Sequence, residues 1–194
     1  MQPFSKNTGL NNQVKAMDEK QLLNECVIGN PKAQRALFDK FAPKMLGVCI
    51  RYMGNKELAE DVLQDGFVKV FSKLKDFKQE GSLEGWVRKI MVNTAYDQLR
   101  KQKNMLGDVS TDDVSFLLND HAPLASDHLM AEDLMKLVSA LPDGYRVVFN
   151  MFAIEGYSHA EIANTLGVSE NTSKSQYSRA RAYLRDKLEK LNGY

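Results

Sequence analysis

Residues 158–191 are SHAEIANTLGVSENTSKSQYSRARAYLRDKLEKL, a stretch that predicts two helices joined by a short turn. Ser158 and Glu161 have the spacing of a capping box, in which each side chain bonds the other residue's backbone N–H, so a helix is expected to begin there. Gly167 is a typical helix end, and Ser169 can cap a second helix two residues later. Because so short a connection forces a sharp corner, the stretch predicts a helix-turn-helix.

The second helix of this motif has two chemically different faces. The inward face follows steps of three and four along Ser173, Tyr177, Ala180, Leu184, Leu188 and Leu191. The other face carries side chains that can donate hydrogen bonds to phosphates or base edges: Asn171, Lys174, Ser175, Ser178, Arg179 and Arg185. Residues 169–194 hold six basic and three acidic side chains, so the local charge of +3 favours a DNA-binding helix over a merely solvated one.

The composition is that of an ordinary globular protein, with 43% hydrophobic and 26% charged residues in a chain of 194. This length suits one or two small domains. No apolar run reaches the roughly 18 to 20 residues of a membrane span, and residues 1–20 lack the apolar core of a signal peptide. We therefore expect a cytoplasmic protein that is not itself a membrane protein. Cys26 and Cys49 lie in apolar helical patterns without metal-ligand spacing, which predicts buried thiols.

Helical periodicity without strand alternation predicts an all-α fold of two small helical domains joined by a flexible acidic linker. Residues 1–20 are expected to be a mobile tail, and residues 21–103 to form the first domain. Residues 104–133 are the predicted linker, because they hold seven acidic side chains and no lysine or arginine. Residues 134–194 form the second domain, which contains the helix-turn-helix.

Prolines and glycines divide the first domain into helices. Pro31 is expected to open a helix that runs to Phe41, and Pro43 to open the next one. A longer helix is expected over residues 56–77. Residues 78–85 are expected to form a loop, because they contain two glycines.

The helix over residues 56–77 has one polar face, formed by Glu57, Glu60, Asp61, Gln64 and Asp65. Paired carboxylates on a helix also occur in metal and acid–base sites, but those need histidines or matching carboxylates on facing helices. Residues 1–120 contain no histidine, so the face favours protein docking. The pairs at residues 120–121 and 127–128, both Asp-His, lack further ligands. We expect no catalytic residue, metal or cofactor.

The loop over residues 78–85 leads directly into a strongly basic helix. Residues 86–103 carry five basic side chains and one acidic side chain, a local charge of +4. A glycine-flanked loop closed by a basic helix suits single-stranded nucleic acid. Trp86, the only tryptophan, is more often a core anchor than a platform for base stacking.

Four segments, in this order, resemble those of the extracytoplasmic-function group of bacterial RNA polymerase sigma factors. They are Ala59-Glu60-Asp61-Val62-Leu63-Gln64-Asp65, Gly85-Trp86-Val87-Arg88-Lys89-Ile90-Met91-Val92-Asn93, Leu141-Pro142-Asp143-Gly144-Tyr145-Arg146, and Glu161-Ile162-Ala163 through Arg179-Ala180-Arg181. The resemblance covers roughly residues 21–191. It implies a protein without catalytic chemistry that binds core RNA polymerase and directs promoter-specific transcription initiation.

The resemblance also implies a role for each surface. The family positions that bind the coiled coil of the polymerase's largest subunit are Asp61, Gln64 and Asp65. The positions for the minus-10 promoter element are Lys78, Gln79, Ser82, Trp86, Arg88, Asn93, Arg100 and Lys101. The positions for the minus-35 element are Asn171, Thr172, Lys174, Ser175, Gln176, Ser178, Arg179 and Arg185. An anti-sigma factor commonly holds this group inactive, so that partner is implied by analogy.

Three positions depart from the family pattern. Ser173 stands where an apolar valine is usual, Gln176 where arginine is usual, and Leu83 where the loop usually carries phenylalanine. The resemblance therefore does not transfer a promoter sequence. The residues alone leave two other functions open. One is a helix-turn-helix transcription regulator with an N-terminal sensing or dimerisation domain, and the other is a helical metalloenzyme that uses the carboxylates near Asp61.

Overall fold

The computed structural model describes residues 18–105 and 131–191, and within these two ranges the chain is helical with no strand. The helices are α1 (Glu19–Val27), α2 (Pro31–Met53), α3 (Lys56–Lys73), α4 (Leu83–Met105), α5 (Ala131–Ser139), α6 (Asp143–Phe149), α7 (His159–Leu166) and α8 (Glu170–Leu191). A 3-10 turn, Leu74–Asp76, follows α3, and a π-helical segment, Asn150–Ile154, follows α6. The all-α prediction is confirmed.

Parts of the predicted organisation lie outside the described residues. These parts are most of the predicted tail, the central part of the predicted linker with its Asp-His pairs, and the last three residues. Helix α4 ends at Met105 and α5 begins at Ala131, so helix extends into both ends of the predicted linker.

The helix ends follow from local capping chemistry. The Asn30 side chain accepts hydrogen bonds from the backbone N–H groups of Lys32 and Ala33, at 3.0 and 3.4 Å, and Pro31 occupies the first helical position. The Asn55 side chain caps α3 by accepting from the N–H of Leu58, at 3.1 Å. Each cap satisfies backbone donors that have no partner inside the helix.

Two sequence predictions in the first domain are wrong. Pro43 does not open a helix but lies within α2. Pro43 and Asp39, whose carbonyl would have accepted the missing N–H, are both on the exposed side of that helix. The predicted loop is also shorter, because α4 begins at Leu83, whose side chain is buried in the core. Leu83 stands where the family's loop usually carries phenylalanine, but here it is a core residue in the first turn of α4.

The hydrophobic core joins the N-terminal half (residues 18–105) to the C-terminal half (residues 131–191). One cluster runs through α1 to α4 and also includes Val147, Val148, Met151 and Ile162 of the C-terminal half. A smaller cluster packs α5 against α8 through Leu137, Val138, Leu141, Ala180 and Leu184. The two halves are therefore packed together in this structure.

The end of α2 is the joint between the halves. Gly54 ends the helix with a φ of 66°, a left-handed conformation that favours glycine. A Cβ at this position would lie 3.3 Å from the Ser139 carbonyl oxygen and 3.7 Å from the Arg146 guanidinium carbon. Glycine is thus favoured both by the backbone conformation and by the close approach of the C-terminal half.

Candidate nucleic-acid and protein interfaces

The helix-turn-helix forms as predicted from α7 and α8. The Ser158 hydroxyl accepts from the backbone N–H of Glu161 at 3.2 Å, and the Glu161 carboxylate accepts from the backbone N–H of Ser158 at 2.8 Å. The Ser158 backbone N–H, and after it the Ser158 hydroxyl, which donates to the same carboxylate oxygen at 2.8 Å, hold the pKa of Glu161 below its usual value. Gly167 closes α7 with a φ of 68°, and the Ser169 hydroxyl accepts from the N–H of Thr172 at 3.0 Å to open α8.

Most of the predicted minus-35 residues share the exposed face of α8. The exposed members are Asn171, Lys174, Ser175, Ser178, Arg179 and Arg185. Thr172 is half-buried beside the Ser169 cap, with the two hydroxyl oxygens 2.9 Å apart. Gln176 is half-buried, and its side-chain amide lies against Gly144 of α6, so the structure sets it apart from the exposed members.

The serine that departs from the family pattern has a polar partner in the core. Ser173 is fully buried, and its hydroxyl oxygen lies 2.9 Å from Nδ1 of His159. The His159 ring stacks on Phe152, with centroids 4.3 Å apart and planes at 14°. A buried hydroxyl is tolerated when it is hydrogen-bonded, so this pair explains how α8 packs without the usual valine. The sequence showed the unusual serine but gave no signal for its partner.

The residues predicted to bind polymerase lie on one exposed face of α3. Asp61, Gln64 and Asp65 are exposed, at the spacing that places side chains side by side on a helix. In the described part of the chain, these three side chains form no ion pair or hydrogen bond. Val68 follows on the same face and is 68% exposed, so the polar patch borders an apolar surface.

The predicted minus-10 residues divide between a loop and helix α4. Lys78, Gln79 and Ser82 are exposed in the loop, and Gln79 has a left-handed φ of 58°. The Ser82 hydroxyl accepts from the N–H of Gly85 at 3.0 Å, which makes it the cap of α4. Trp86 is half-buried against Phe77, with ring centroids 5.3 Å apart, so much of the indole serves packing.

The α4 residues of the predicted minus-10 surface lie in different surroundings. Arg88 points into a cleft of about 290 Å³ that contains Gly85 and Lys89. Asn93 lines a separate cleft of about 560 Å³, to which Thr165 of the C-terminal half contributes. Arg100 and Lys101 are exposed farther along the helix, and Arg100 lies 3.7 Å from Asp97. The structure therefore does not gather the eight predicted residues into one patch.

The sequence analysis missed the polar contacts that join the two halves. Arg146 is buried, and its guanidinium donates to the carbonyls of Tyr52 at 2.8 Å and Leu141 at 2.7 Å, and to the Asp143 carboxylate at 2.6 Å. Asn150 is buried and donates to the Arg51 carbonyl at 3.0 Å. The bonds to the Tyr52 and Arg51 carbonyls satisfy acceptors at the C-terminal end of α2, where a positive charge is also favoured by the helix dipole.

A buried ion pair completes this joint. The Glu155 side chain is 2% exposed and bridges Arg51 of α2, at 2.7 Å, and Arg88 of α4, at 3.2 Å. Burial, together with the Glu155 charge, raises the pKa of the neighbouring Tyr52 hydroxyl. One sequence signal pointed to this joint: Arg146 and Asn150 are polar residues one turn apart among the buried Val147, Val148 and Met151.

The remaining titratable groups give little sign of a chemical site. Burial raises the pKa of the Cys26 thiol to about 11 and that of Cys49 to about 12, and both cysteines are free. Across residues 18–105 and 131–191, no group of three or more His, Cys, Asp or Glu side chains is placed to hold a metal ion. Among the helices described, none combines the length and apolarity needed to cross a bilayer.

Known proteins match both halves of the chain. The family model for Sigma-70 region 2 matches residues 37–105, and that for Sigma-70, region 4 matches residues 131–184. The ECF RNA polymerase sigma factor SigE of Mycolicibacterium smegmatis is 31% identical over 157 residues, which are 79% of this chain and 61% of that relative. The RNA polymerase sigma factor SigV of Bacillus subtilis is 30% identical over 139 residues, which are 72% of this chain and 81% of that relative.

A solved structure agrees with these matches. The sigma factor RpoE of Bartonella quintana, in complex with the anti-sigma factor NepR, superimposes with a TM-score of 0.53 and 26% identity over 80% of this chain and 96% of that one. The two matched regions, their order and the helix-turn-helix at the C-terminal end all lead to one family. The chain belongs to the RNA polymerase sigma factors, within their extracytoplasmic-function group.

Proposed function

We propose that this protein binds core RNA polymerase and directs it to a particular class of promoters, without carrying out catalysis itself. The observation that carries the proposal is the presence in one chain of two different surfaces. One is the exposed patch of Asp61, Gln64 and Asp65 on α3, and the other is the exposed donor-rich face of α8. A transcription regulator that acts alone needs the second surface but not the first.

The face of α8 suits reading of duplex DNA in the major groove. In a helix-turn-helix the N-terminal part of the recognition helix contacts base edges, while later turns lie nearer the backbone. Lys174, Ser175, Ser178 and Arg179 are therefore proposed to read the minus-35 element, and Arg185 to contact a phosphate. Asn171 and Thr172 lie at the start of α8, where backbone N–H groups and the helix dipole favour a phosphate, so they are proposed to position the domain.

The loop and α4 are proposed to hold the single-stranded minus-10 element. Lys78, Gln79 and Ser82 are exposed in the loop that precedes Arg88 and Lys89 of α4, which suits a phosphate backbone. A protein that assists an intracellular polymerase acts in the cytoplasm, and we place this one there. By analogy with the complex of the Bartonella quintana relative, an anti-sigma factor is the proposed inhibitor.

The test is reconstitution with core RNA polymerase, followed by sequencing of the transcripts that the holoenzyme makes. We expect a defined set of start sites that core enzyme alone does not produce. Duplex binding by the protein alone, unchanged by core polymerase, would instead identify a helix-turn-helix regulator.

The α3 patch is tested in the same assay with the double variant Asp61→Arg and Asp65→Arg. Wrong-sign charges in an interface cost several kcal/mol, so capture of core polymerase and specific transcription are expected to be lost. The matched control is Asp39→Arg, an exposed acidic residue on α2 outside all the proposed surfaces. Unchanged capture by the double variant would show that the patch is only solvated.

A further inference from the structure

The Glu155 carboxylate occupies a small site built from two arginines. Its Oε1 accepts from Nη2 of Arg51 at 2.7 Å, and its Oε2 accepts from Nη1 of Arg88 at 3.2 Å. The side chains are 2%, 16% and 33% exposed for Glu155, Arg51 and Arg88. Two half-buried guanidinium groups that converge on one pair of oxygens form an arrangement that also suits a phosphodiester.

This site adjoins the predicted minus-10 surface. Arg88 lies in the same cleft as Gly85 and Lys89, one turn after the loop that ends at Ser82. Arg51 comes from α2 and was not part of any predicted surface. Glu155 is the only one of the three that comes from the C-terminal half, so the arginines stay together when that half moves away.

The proposed function requires the C-terminal half to move away. Promoter elements centred at minus 10 and minus 35 lie roughly 80 Å apart along B-form DNA, at about 3.4 Å per base pair. In the structure, the two halves share one hydrophobic core, so we infer that they separate before their DNA surfaces occupy both elements. Separation removes the Glu155 carboxylate. Arg88 keeps only the Glu84 carboxylate of its own helix, 3.5 Å away, and Arg51 loses the one ion-pair partner that it has among the described residues, so the pair gains room for another anion.

The contact between the halves also contains unsatisfied polar atoms. Among the described residues, Nε of Arg51, the hydroxyl of Tyr52 and Oδ1 of Asn150 are buried without a hydrogen-bond partner. Most buried polar groups in proteins are paired, so these three mark an imperfect contact.

We propose that Arg51 and Arg88 bind a backbone phosphate of the single-stranded minus-10 region, and that Glu155 fills this site in the closed chain. The proposal rests on the proposed function and adds Arg51 to the DNA-binding residues. It also gives Glu155 a definite role: its carboxylate replaces the DNA phosphate until the halves separate.

The first experiment measures the affinity of the holoenzyme for a forked promoter probe whose minus-10 segment is single-stranded. The probe is taken from a start site mapped with the wild-type holoenzyme. Because the halves are apart on the promoter, Arg51→Gln is expected to weaken binding about tenfold, as for loss of a charged hydrogen bond. The dependence of log affinity on log salt concentration is expected to fall by about 0.7, as for one phosphate contact on a single strand.

Two further variants show whether the effect belongs to this site. Arg51→Lys keeps the charge, so it is expected to retain the salt dependence and to lose only about threefold in affinity. Arg35→Gln is the matched control, because Arg35 lies on the same helix but is 74% exposed and pairs with Asp39. Core-polymerase binding checks that each variant is folded, and Arg51→Lys carries the test if Arg51→Gln fails that check.

The second experiment uses the free full-length chain and the same single-stranded segment. Glu155→Gln removes the competing charge, so it is expected to raise the affinity about fivefold over wild type. If Arg51 serves only to join the halves, Arg51→Gln and Glu155→Gln will change free-chain binding in the same direction, and Arg51→Gln holoenzyme will behave like Arg35→Gln. That result overturns the proposal. A wild-type holoenzyme that starts no specific transcripts would instead overturn the proposed function.

Discussion

The two proposed DNA surfaces differ in how open they are. On α8, six of the eight predicted minus-35 residues are exposed, so nothing in the described chain covers that face. On the minus-10 side, Arg88 is engaged by Glu155, and Asn93 lies in a cleft closed partly by the C-terminal half. The proposed duplex-reading face is thus exposed, whereas part of the proposed single-strand site contacts the C-terminal half.

This difference suggests an order of events. A surface that reads intact duplex can be open at all times, because it binds DNA without melting it. A site for unpaired strands is needed only after the polymerase has reached the promoter. In the closed chain, the C-terminal half, which carries α8, covers part of that site. The site therefore becomes fully exposed only when the two halves separate.

The largest effect is expected from a variant that separates the two halves and so uncovers the proposed minus-10 surface. Arg146→Ala removes the buried cation that caps α2, and leaves the carbonyls of Tyr52 and Leu141 without their donor. Unpaired buried groups of this kind cost about 3 kcal/mol, so the halves are expected to separate. Energy transfer between dyes on the variants Lys75→Cys and Glu189→Cys measures the separation.

The native thiols do not interfere with this labelling, because Cys26 and Cys49 are buried with raised pKa values. Arg35→Ala serves as the control and should leave energy transfer unchanged. If transfer in the Arg146→Ala protein equals that of wild type, the closure does not depend on this arginine.

A smaller effect is expected from variants on the exposed minus-35 surface of α8. Arg179→Ala is expected to lose about 2 kcal/mol of discrimination at one base of the minus-35 element, because arginine can contact guanine with two hydrogen bonds. Arg185→Ala is expected to weaken all promoters alike and to reduce the salt dependence. Holoenzyme binding to promoters varied base by base, at two salt concentrations, measures both. The opposite pattern would mean that α8 is docked in the reverse direction.

The next effect concerns the buried contact that holds α8 against the rest of the C-terminal half. Ser173→Ala removes the partner of His159 Nδ1, at 2.9 Å, and is expected to cost about 1 kcal/mol of unfolding free energy. Urea unfolding measures that loss. The contrast with Ser173→Val is informative, since valine also removes the hydroxyl but fills the core with an apolar side chain. Equal stability of wild type and Ser173→Ala would show that the pair contributes nothing.

The smallest expected effect concerns the pH dependence of α7. Because the folded-state pKa of Glu161 is lowered by the Ser158 hydrogen bonds, its stabilisation is present above the ordinary value of 4.5 and is lost as pH falls through the folded-state value. Glu161→Gln keeps an acceptor but does not titrate. Wild type is expected to melt slightly higher than this variant at pH 6, and the difference in Tm should vanish in acid. A constant difference would exclude the carboxylate as its source.

The helix-turn-helix was predictable because its determinants are local. The capping box of Ser158 and Glu161 and the glycine stop at Gly167 act within a few residues of each other, and all appear in the structure as the sequence predicts. Pro43 and Leu83 were mispredicted for the opposite reason. Their local signals favour a break and a loop, but burial of the surrounding side chains in the core decides otherwise.

The joint between the halves could not be predicted in the same way. Arg51 and Glu155 are 104 positions apart, and each alone looks like an ordinary surface charge. Helical spacing predicted the exposed patch of Asp61, Gln64 and Asp65, because exposure on one face of a helix is a local property, and the likeness to sigma factors suggested a partner for it. A contact within the closed chain involves both halves at once, so it requires the three-dimensional structure.

Gly54 makes the closed arrangement recognisable in other sequences. A Cβ there would lie 3.3 Å from the Ser139 carbonyl oxygen, and the left-handed φ of 66° also disfavours other residues, so a closed relative is expected to keep glycine at this point. It must also keep an arginine and an asparagine one turn apart in the helix that follows the linker, as Arg146 and Asn150 are here. Relatives that carry all three are expected to close in the same way, and relatives with a bulky residue in place of the glycine to stay open. The triplet thus gives a prediction, checkable in other sequences, of which relatives pack their two halves together in this way.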